Sequence, residues 1–275
     1  MAMDFAALLA APPSGRRTAL IVDHQHYARA VVLQGRPVPW TDPVAFAQYT
    51  GQVQGLLRSD TTLLDLGALY DDALTRDDAL CTALSARSRT GYALRTLLAH
   101  EPTAVAAAEL AGVVARASAA PLVVQIPSPM LWLARTHELS GAGPLTDLTA
   151  DHAENAAMYV ADWLRRLAAP PVSMLLLDEC DPRAGQYDPL AGELPHPDDS
   201  VYAPVVNVTD HYRWALGRRT AQGVKVVGSG LNGPRIPPEF WHGDGVALPS
   251  GDFLLADIPA DAPPETVLAQ LAQLN

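Results

Sequence analysis

Polar residues with acid–base or ligand chemistry recur in this chain at the ends of short apolar runs. Asp23, His24 and His26 close the run "ALIVD" and open "HQHY". Asp65 sits in "TLLDLG", Gln125 in "PLVVQIP", Asp178 and Glu179 end "SMLLLDE", and Asn207, Thr209 and Asp210 follow "APVV". His211 comes next, and Ser229 lies in "VKVVGSG". Adjacent carboxylates such as Asp178 and Glu179 repel each other when half buried, which lifts a pKa toward the range useful for proton transfer. An imidazole such as His24 or His211 can share that proton. These four are the candidate catalytic groups. Asp23, His26, Asp65, Gln125, Asn207 and Ser229 are the candidate substrate-binding groups.

Metal chemistry is the competing reading. Asp178, Glu179 and Cys180 are contiguous, and His24, His26 and His211 are available. In an extended stretch His24 and His26 would point to one side, as a metal pair does, with Gln25 on the other. Zinc sites draw matched ligands from several segments. No such set is assigned here, the cofactor stays open, and hydrogen bonding to a small substrate is the expected role of these residues. Ser128 lacks the Gly-x-Ser-x-Gly setting of a strained nucleophile.

Something must bring these strand ends together. The runs at 19–23, 62–67, 121–127, 173–179, 203–208, 224–230 and 253–258 are apolar at consecutive positions. That pattern fits parallel strands buried on both faces. Helical patterns lie between them. Residues 151–167 put Ala153, Ala156, Ala157, Val160, Ala161 and Leu164 on one face. Residues 43–58, 103–118 and 263–274 each begin with proline or acid in the first turn. Strand–helix alternation with no glycine-rich turn after the first strand predicts an α/β fold, a single (β/α)8 TIM-type barrel spanning 1–275. The carboxyl ends of its strands would then share one face. The stretch 181–202, rich in Pro, Asp and Gly, is expected to be a long loop over that face.

Composition narrows the partners. The chain has 275 residues, 49% of them apolar, and a formal net charge of −11. No basic run is longer than the arginine pair of "GRR", so neither a nucleic acid nor an anionic membrane is an expected partner. Cys81 and Cys180 are the only cysteines, and the N-terminal apolar piece lacks a preceding basic region. Both features predict free thiols in the cytoplasm. A small-molecule substrate is expected, with a homo-oligomer or a partner protein possible.

Two segments carry a family resemblance. "PLVVQIPSPMLWLA" and "ENAAMYVADWLRRLAAPPVSMLLLDECDP" resemble the strand–proline–helix and helix–strand–Asp-Glu segments of the cobalamin-independent methionine synthase and uroporphyrinogen decarboxylase-like superfamily. The resemblance covers roughly residues 100–230 and implies a barrel enzyme. The methionine synthase branch carries a His-x-Cys zinc pair where this chain has Asn207 and Thr209. The decarboxylase branch uses N-terminal basic residues for its porphyrin, and the first 60 residues here hold only Arg16, Arg17, Arg29, Arg36 and Arg58, without that motif. The resemblance therefore implies methyl or alkyl transfer without the usual zinc ligands. The alternatives are a lyase or decarboxylase acting on a small carboxylate, and a non-catalytic barrel acting as a binding or partner subunit.

Overall fold

The computed structural model describes residues 4–180, 194 and 197–274. In chain order the helices and strands are α1 (Phe5–Ala10), β1 (Ala19–Asp23), α2 (Gln25–Val31), α3 (Pro43–Leu57), β2 (Thr62–Asp65), α4 (Leu66–Arg76), α5 (Asp78–Leu84), α6 (Tyr92–Leu98) and α7 (Glu101–Ala117). There follow β3 (Leu122–Pro127), α8 (Pro129–Ser140), α9 (Ala150–Leu164), β4 (Val172–Asp178), α10 (Ala203–Tyr212), β5 (Ala215–Thr220), β6 (Gly223–Val226), β7 (Asn232–Pro234), β8 (Phe253–Asp257) and α11 (Pro264–Gln273). Most of the predicted loop at 181–202 lies outside the described residues. Its described end includes a 3-10 turn at Asp199–Tyr202. Among the described residues no single helix is long and apolar enough to cross a membrane.

The protein is α/β, and its strands form two sheets. One pairs β1 with β8 in parallel. The other runs β2-β3-β4-β5-β6-β7, parallel from β2 to β5 and antiparallel from β5 to β7. A complete (β/α)8 ring is therefore not what the strands form. Only two residues separate β5 from β6, enough for a hairpin and far too few for a crossover helix. Hydrogen bonds nonetheless connect the sheets at both edges. The Asp60 N–H donates to Leu20 O at 2.9 Å, and the Ile236 N–H donates to Leu255 O at 2.8 Å. Asp60, fully buried, reinforces the first junction by accepting from the Leu20 N–H at 2.9 Å and pairing with Arg16 at 3.4 Å.

Strand alternation divides the core in two. Leu20, Val22, Leu64, Val124, Leu175, Leu177, Leu254 and Ala256 belong to the large cluster that also contains the buried helix faces. Ala19, Ile21, Leu63, Val123, Met174, Leu176, Val224, Val226, Phe253 and Leu255 form a second cluster, joined by Phe5 and Leu8 of α1. Successive side chains point to opposite faces, and here both faces are dry. That is why the strands read as unbroken apolar runs. Each buried Leu, Ile or Phe contributes about 1.5–3 kcal/mol relative to exposure.

The helices begin where the first-turn chemistry predicts. Asp42 caps α3 by accepting from Val44 and Ala45 N–H, both at 3.0 Å. Ser128 caps α8, its hydroxyl accepting from the Leu131 N–H at 3.3 Å. Two assignments change. The stretch 203–208, expected as a strand, is the start of α10: Pro204 sits in its first turn, and Val205, Val208 and Thr209 are buried at helical spacing. The strand comes one step later, as β5, where "ALGRRT" alternates between more and less buried positions in place of a continuous apolar run.

Candidate functional site

The carboxyl ends of β1, β2, β3, β4, β5 and β8 surround a cavity of about 580 Å³. Its floor is a charged network centred on Arg219, which is buried at the end of β5. The Arg219 guanidinium donates through Nη1 to Asp23 Oδ2 at 2.5 Å and to Gln125 Oε1 at 3.0 Å. Asp178 Oδ2 lies 3.7 Å from the same nitrogen, and Nη2 donates to Asp257 Oδ2 at 3.4 Å. Arg235, just after β7, donates through Nη2 to that same Asp257 oxygen at 2.8 Å. One guanidinium thus ties together the ends of five strands. Its planar fork of donors suits this role better than a lysine would.

Gln125 passes the network on to β2. Its Nε2 donates to Asp65 Oδ2 at 3.2 Å and to Asp178 Oδ2 at 3.5 Å. Asp65 Oδ1 accepts from the Ala68 N–H at 3.0 Å, so this carboxyl also caps α4. Gly67 makes the approach possible, because a Cβ there would sit 2.7 Å from Pro127 Cδ. Asp178 Oδ1 accepts from the Cys180 N–H at 3.0 Å. Asp71 and Arg135, 3.9 Å apart, line the wall, and His26 stands exposed among the lining residues.

Of four aspartates on this floor, Asp23, Asp178 and Asp257 share two arginines, and the environments of the four push their pKa values apart. Burial raises Asp23, but the charge and hydrogen bond of Arg219 outweigh it and hold this carboxyl below its ordinary value. Burial lifts Asp178, and Arg219 offsets the lift only in part. Asp257 is likewise raised, by burial and by the charge of Asp23. Among the described residues Asp65 has no guanidinium partner, and burial pushes it up to about 7, helped by the charges of Asp23 and Asp178. Arg219 itself stays charged: burial disfavours its cation, and Asp178, Asp23 and Asp257 more than compensate.

Of the residues expected from sequence, Asp23, His26, Asp65, Gln125 and Asp178 line this cavity. His24, Glu179, His211, Asn207 and Ser229 do not. "DHQHY" does not stay extended: α2 begins at Gln25, with the Gln25 N–H donating to Asp23 Oδ1 at 3.3 Å. Residues two apart on a helix diverge, so His24 is buried against Tyr49, 6.4 Å between ring centroids, while His26 is exposed. Burial lowers the His24 pKa more than Asp23 raises it, which keeps that imidazole neutral. Glu179 turns away from Asp178 and accepts from Arg218 Nη2 at 2.5 Å and Nε at 2.8 Å. His211 packs on Tyr212 near the exposed end of α10, and Asn207 lies on the same helix. Ser229 closes a turn by donating to Val226 O at 3.1 Å. Among the described residues no group of three or more His, Cys, Asp or Glu side chains is placed to hold a metal ion.

Sequence reading missed Arg219, Arg235, Asp257, Asp71 and Arg135. The signal for Asp257 was present, since it ends the run "FLLAD" as Asp23 ends "ALIVD". Arg219 was hidden in a strand too polar to show itself. No protein-family model, curated protein or solved structure matches this chain.

Proposed function

We propose that this protein is a small-molecule enzyme of the group-transfer or lyase class, in which Asp65 gives or takes a proton on a small neutral or cationic substrate bound at the strand ends. The observation that carries this reading is a buried carboxyl, Asp65, raised to about 7 and joined through Gln125 to Asp23, which Arg219 holds below the ordinary carboxylate value. Carboxyl groups whose environments separate their pKa values are the usual basis for dividing acid and base roles. In alkyl or methyl transfer Asp65 would accept the proton of the attacking group, and in elimination the proton beside the leaving group. Gln125 and the Ala68 N–H orient it. Arg219 positions the floor and does not take part in proton transfer.

Charge favours a neutral or cationic substrate over a carboxylate. Arg219 and Arg235 are already occupied by aspartates, and six aspartates line the cavity against three arginines. A small carboxylate would meet repulsion there, which weighs against the decarboxylase alternative. A non-catalytic barrel acting as a partner subunit would need an exposed apolar patch for its partner, and the tryptophans Trp214 and Trp241 are both buried. The two junctions between the sheets and the inner apolar cluster shared by both support a barrel-like ring, β1 through β8 in cyclic order, with β6 reversed. That ring in turn favours kinship with the methionine synthase-like superfamily. A cysteine count of two and acidic charge support a cytoplasmic setting.

A thermal-shift screen of small amines and polyols against matched carboxylates, followed by turnover assays on the binders, tests this. Amines or polyols should raise the melting temperature where carboxylates do not. Asp65→Asn should keep binding and lose about 10²–10⁴ in rate. Preferential stabilisation by carboxylates, or full activity of Asp65→Asn, would overturn the proposal.

A further inference from the structure

A second concavity, about 640 Å³, lies on the helical side of the molecule between α5, α6 and α9, away from the strand-end residues. Its chemistry is opposite to that of the strand-end cavity. Arg87, Arg89 and Arg95 line it, and from Ala79 to His100 the chain has no Asp or Glu. Among the described residues none of these three guanidiniums pairs with a carboxylate. The two carboxylates at the rim are already engaged. Asp77 caps α5 through the Leu80 N–H at 2.9 Å and faces His100 Nε2 at 3.4 Å. Glu101 pairs with Arg166 at 2.6 Å. A protein of net charge −11 therefore keeps three unneutralised cations around one hollow. At physiological salt, charges more than about 8 Å away are largely screened, so the local arginines govern what binds there.

Aromatic and hydroxyl groups complete the lining. The Arg87 guanidinium carbon lies 5.3 Å from the centre of the Tyr92 ring, a cation–π contact that holds this arginine beside the hollow. Tyr159 comes from α9, and its ring would be 3.4 Å from a Cβ at Gly91. Thr90 and Thr96 supply hydroxyls. The volume falls in the range of about 300–1,000 Å³ typical of small-molecule sites, which argues against a peptide or a nucleic acid. Guanidinium forks match phosphate oxygens two at a time.

We propose that this groove binds a phosphate monoester of a small organic molecule, with Arg87, Arg89 and Arg95 on the phosphate and Tyr92 and Tyr159 against the organic part. The site is separate from the strand-end cavity and does not depend on the function proposed for it. Phenyl phosphate, inorganic phosphate and phenol, titrated calorimetrically into the intact protein at low and high salt, test it. Phenyl phosphate should bind more tightly than either fragment and weaken as salt rises. The double variant Arg89→Gln/Arg95→Gln should bind it at least tenfold more weakly while melting normally, since both side chains are exposed. Tyr159→Leu, which leaves the Arg87–Tyr92 contact in place, should weaken phenyl phosphate and leave inorganic phosphate unchanged. Three results would each overturn the proposal: no saturable binding of phenyl phosphate at millimolar concentration, equal binding by the double variant, or equal affinity for phenyl and inorganic phosphate.

Discussion

Two ion-pair networks lie back to back at the ends of β4 and β5, built from neighbouring residues of the same types. Asp178 and Arg219 face the cavity, and Glu179 and Arg218 face outward. The inner arginine holds Asp23 and Asp257 besides Asp178, contacts that join segments 196 and 38 positions away. The outer one holds Glu179 and Asp199 and stacks over Tyr202, 5.4 Å from its ring centre. Strand alternation alone separates them. The consequence is that Asp178 and Glu179 are not a repelling pair sharing one proton. They face different guanidiniums, Arg219 and Arg218, and the floor carboxyl with no guanidinium contact among the described residues is Asp65.

Breaking the inner network should cost most. Arg219→Met would leave Asp23, Asp178 and Asp257 buried around a missing charge. Such losses typically cost about 3–5 kcal/mol. Chemical denaturation at neutral pH should show that loss. Stability should partly return as pH falls, because the orphaned carboxyls can then take up protons.

Asp65→Asn comes next, and its sign is opposite. The folded protein holds the Asp65 proton up to about pH 7, whereas the unfolded chain releases it near 3.8. The stability that goes with this proton is fully present below about pH 4 and is lost as pH rises through about 7. Asparagine cannot ionise, so the variant should be more stable than the parent at pH 8, by up to about 4 kcal/mol, and no more stable near pH 4. Thermal melts at the two pH values decide the matter. An equal effect at both would mean that Asp65 is not held protonated.

The outer network should matter less. Arg218→Met removes the contacts to Glu179 and Asp199, but these side chains reach water, and about 1 kcal/mol is expected. A loss as large as that of Arg219→Met would erase the distinction between the two faces. Glu179→Gln should follow Arg218→Met in stability and leave ligand binding in the strand-end cavity intact. His211→Ala, on an exposed helix end, should stay within about 0.5 kcal/mol and leave binding unchanged.

The strands most legible from sequence were those whose two faces are both dry. The interiors of β1, β2, β3, β4 and β8 are mainly apolar and buried, and Asp23, Asp65, Gln125 and Asp178, at or near the carboxyl ends of the first four, all reach the cavity. β5 was illegible for the reason that makes it important: two of the six residues of "ALGRRT", Arg218 and Arg219, are held by ion pairs instead of apolar packing. α10 misled because "APVVNV" has strand-like composition, whereas Pro204 and the spacing of Val205, Val208 and Thr209 suit a helix.

Local sequence determined which segments are apolar enough to be buried, where proline and aspartate start helices, and that polar groups collect at the strand ends. Those are properties of a few consecutive residues, set by burial, backbone geometry and capping. Tertiary structure alone decided that β6 runs backward, that His24 and His26 part company at the start of α2, and that Arg219 faces in while Arg218 faces out. It also decided which carboxyl lacks a guanidinium. Each of these depends on the register of strands far apart in the chain, where shifting the pairing by one residue would exchange the two faces and hand the cavity Glu179 and Arg218 in place of Asp178 and Arg219.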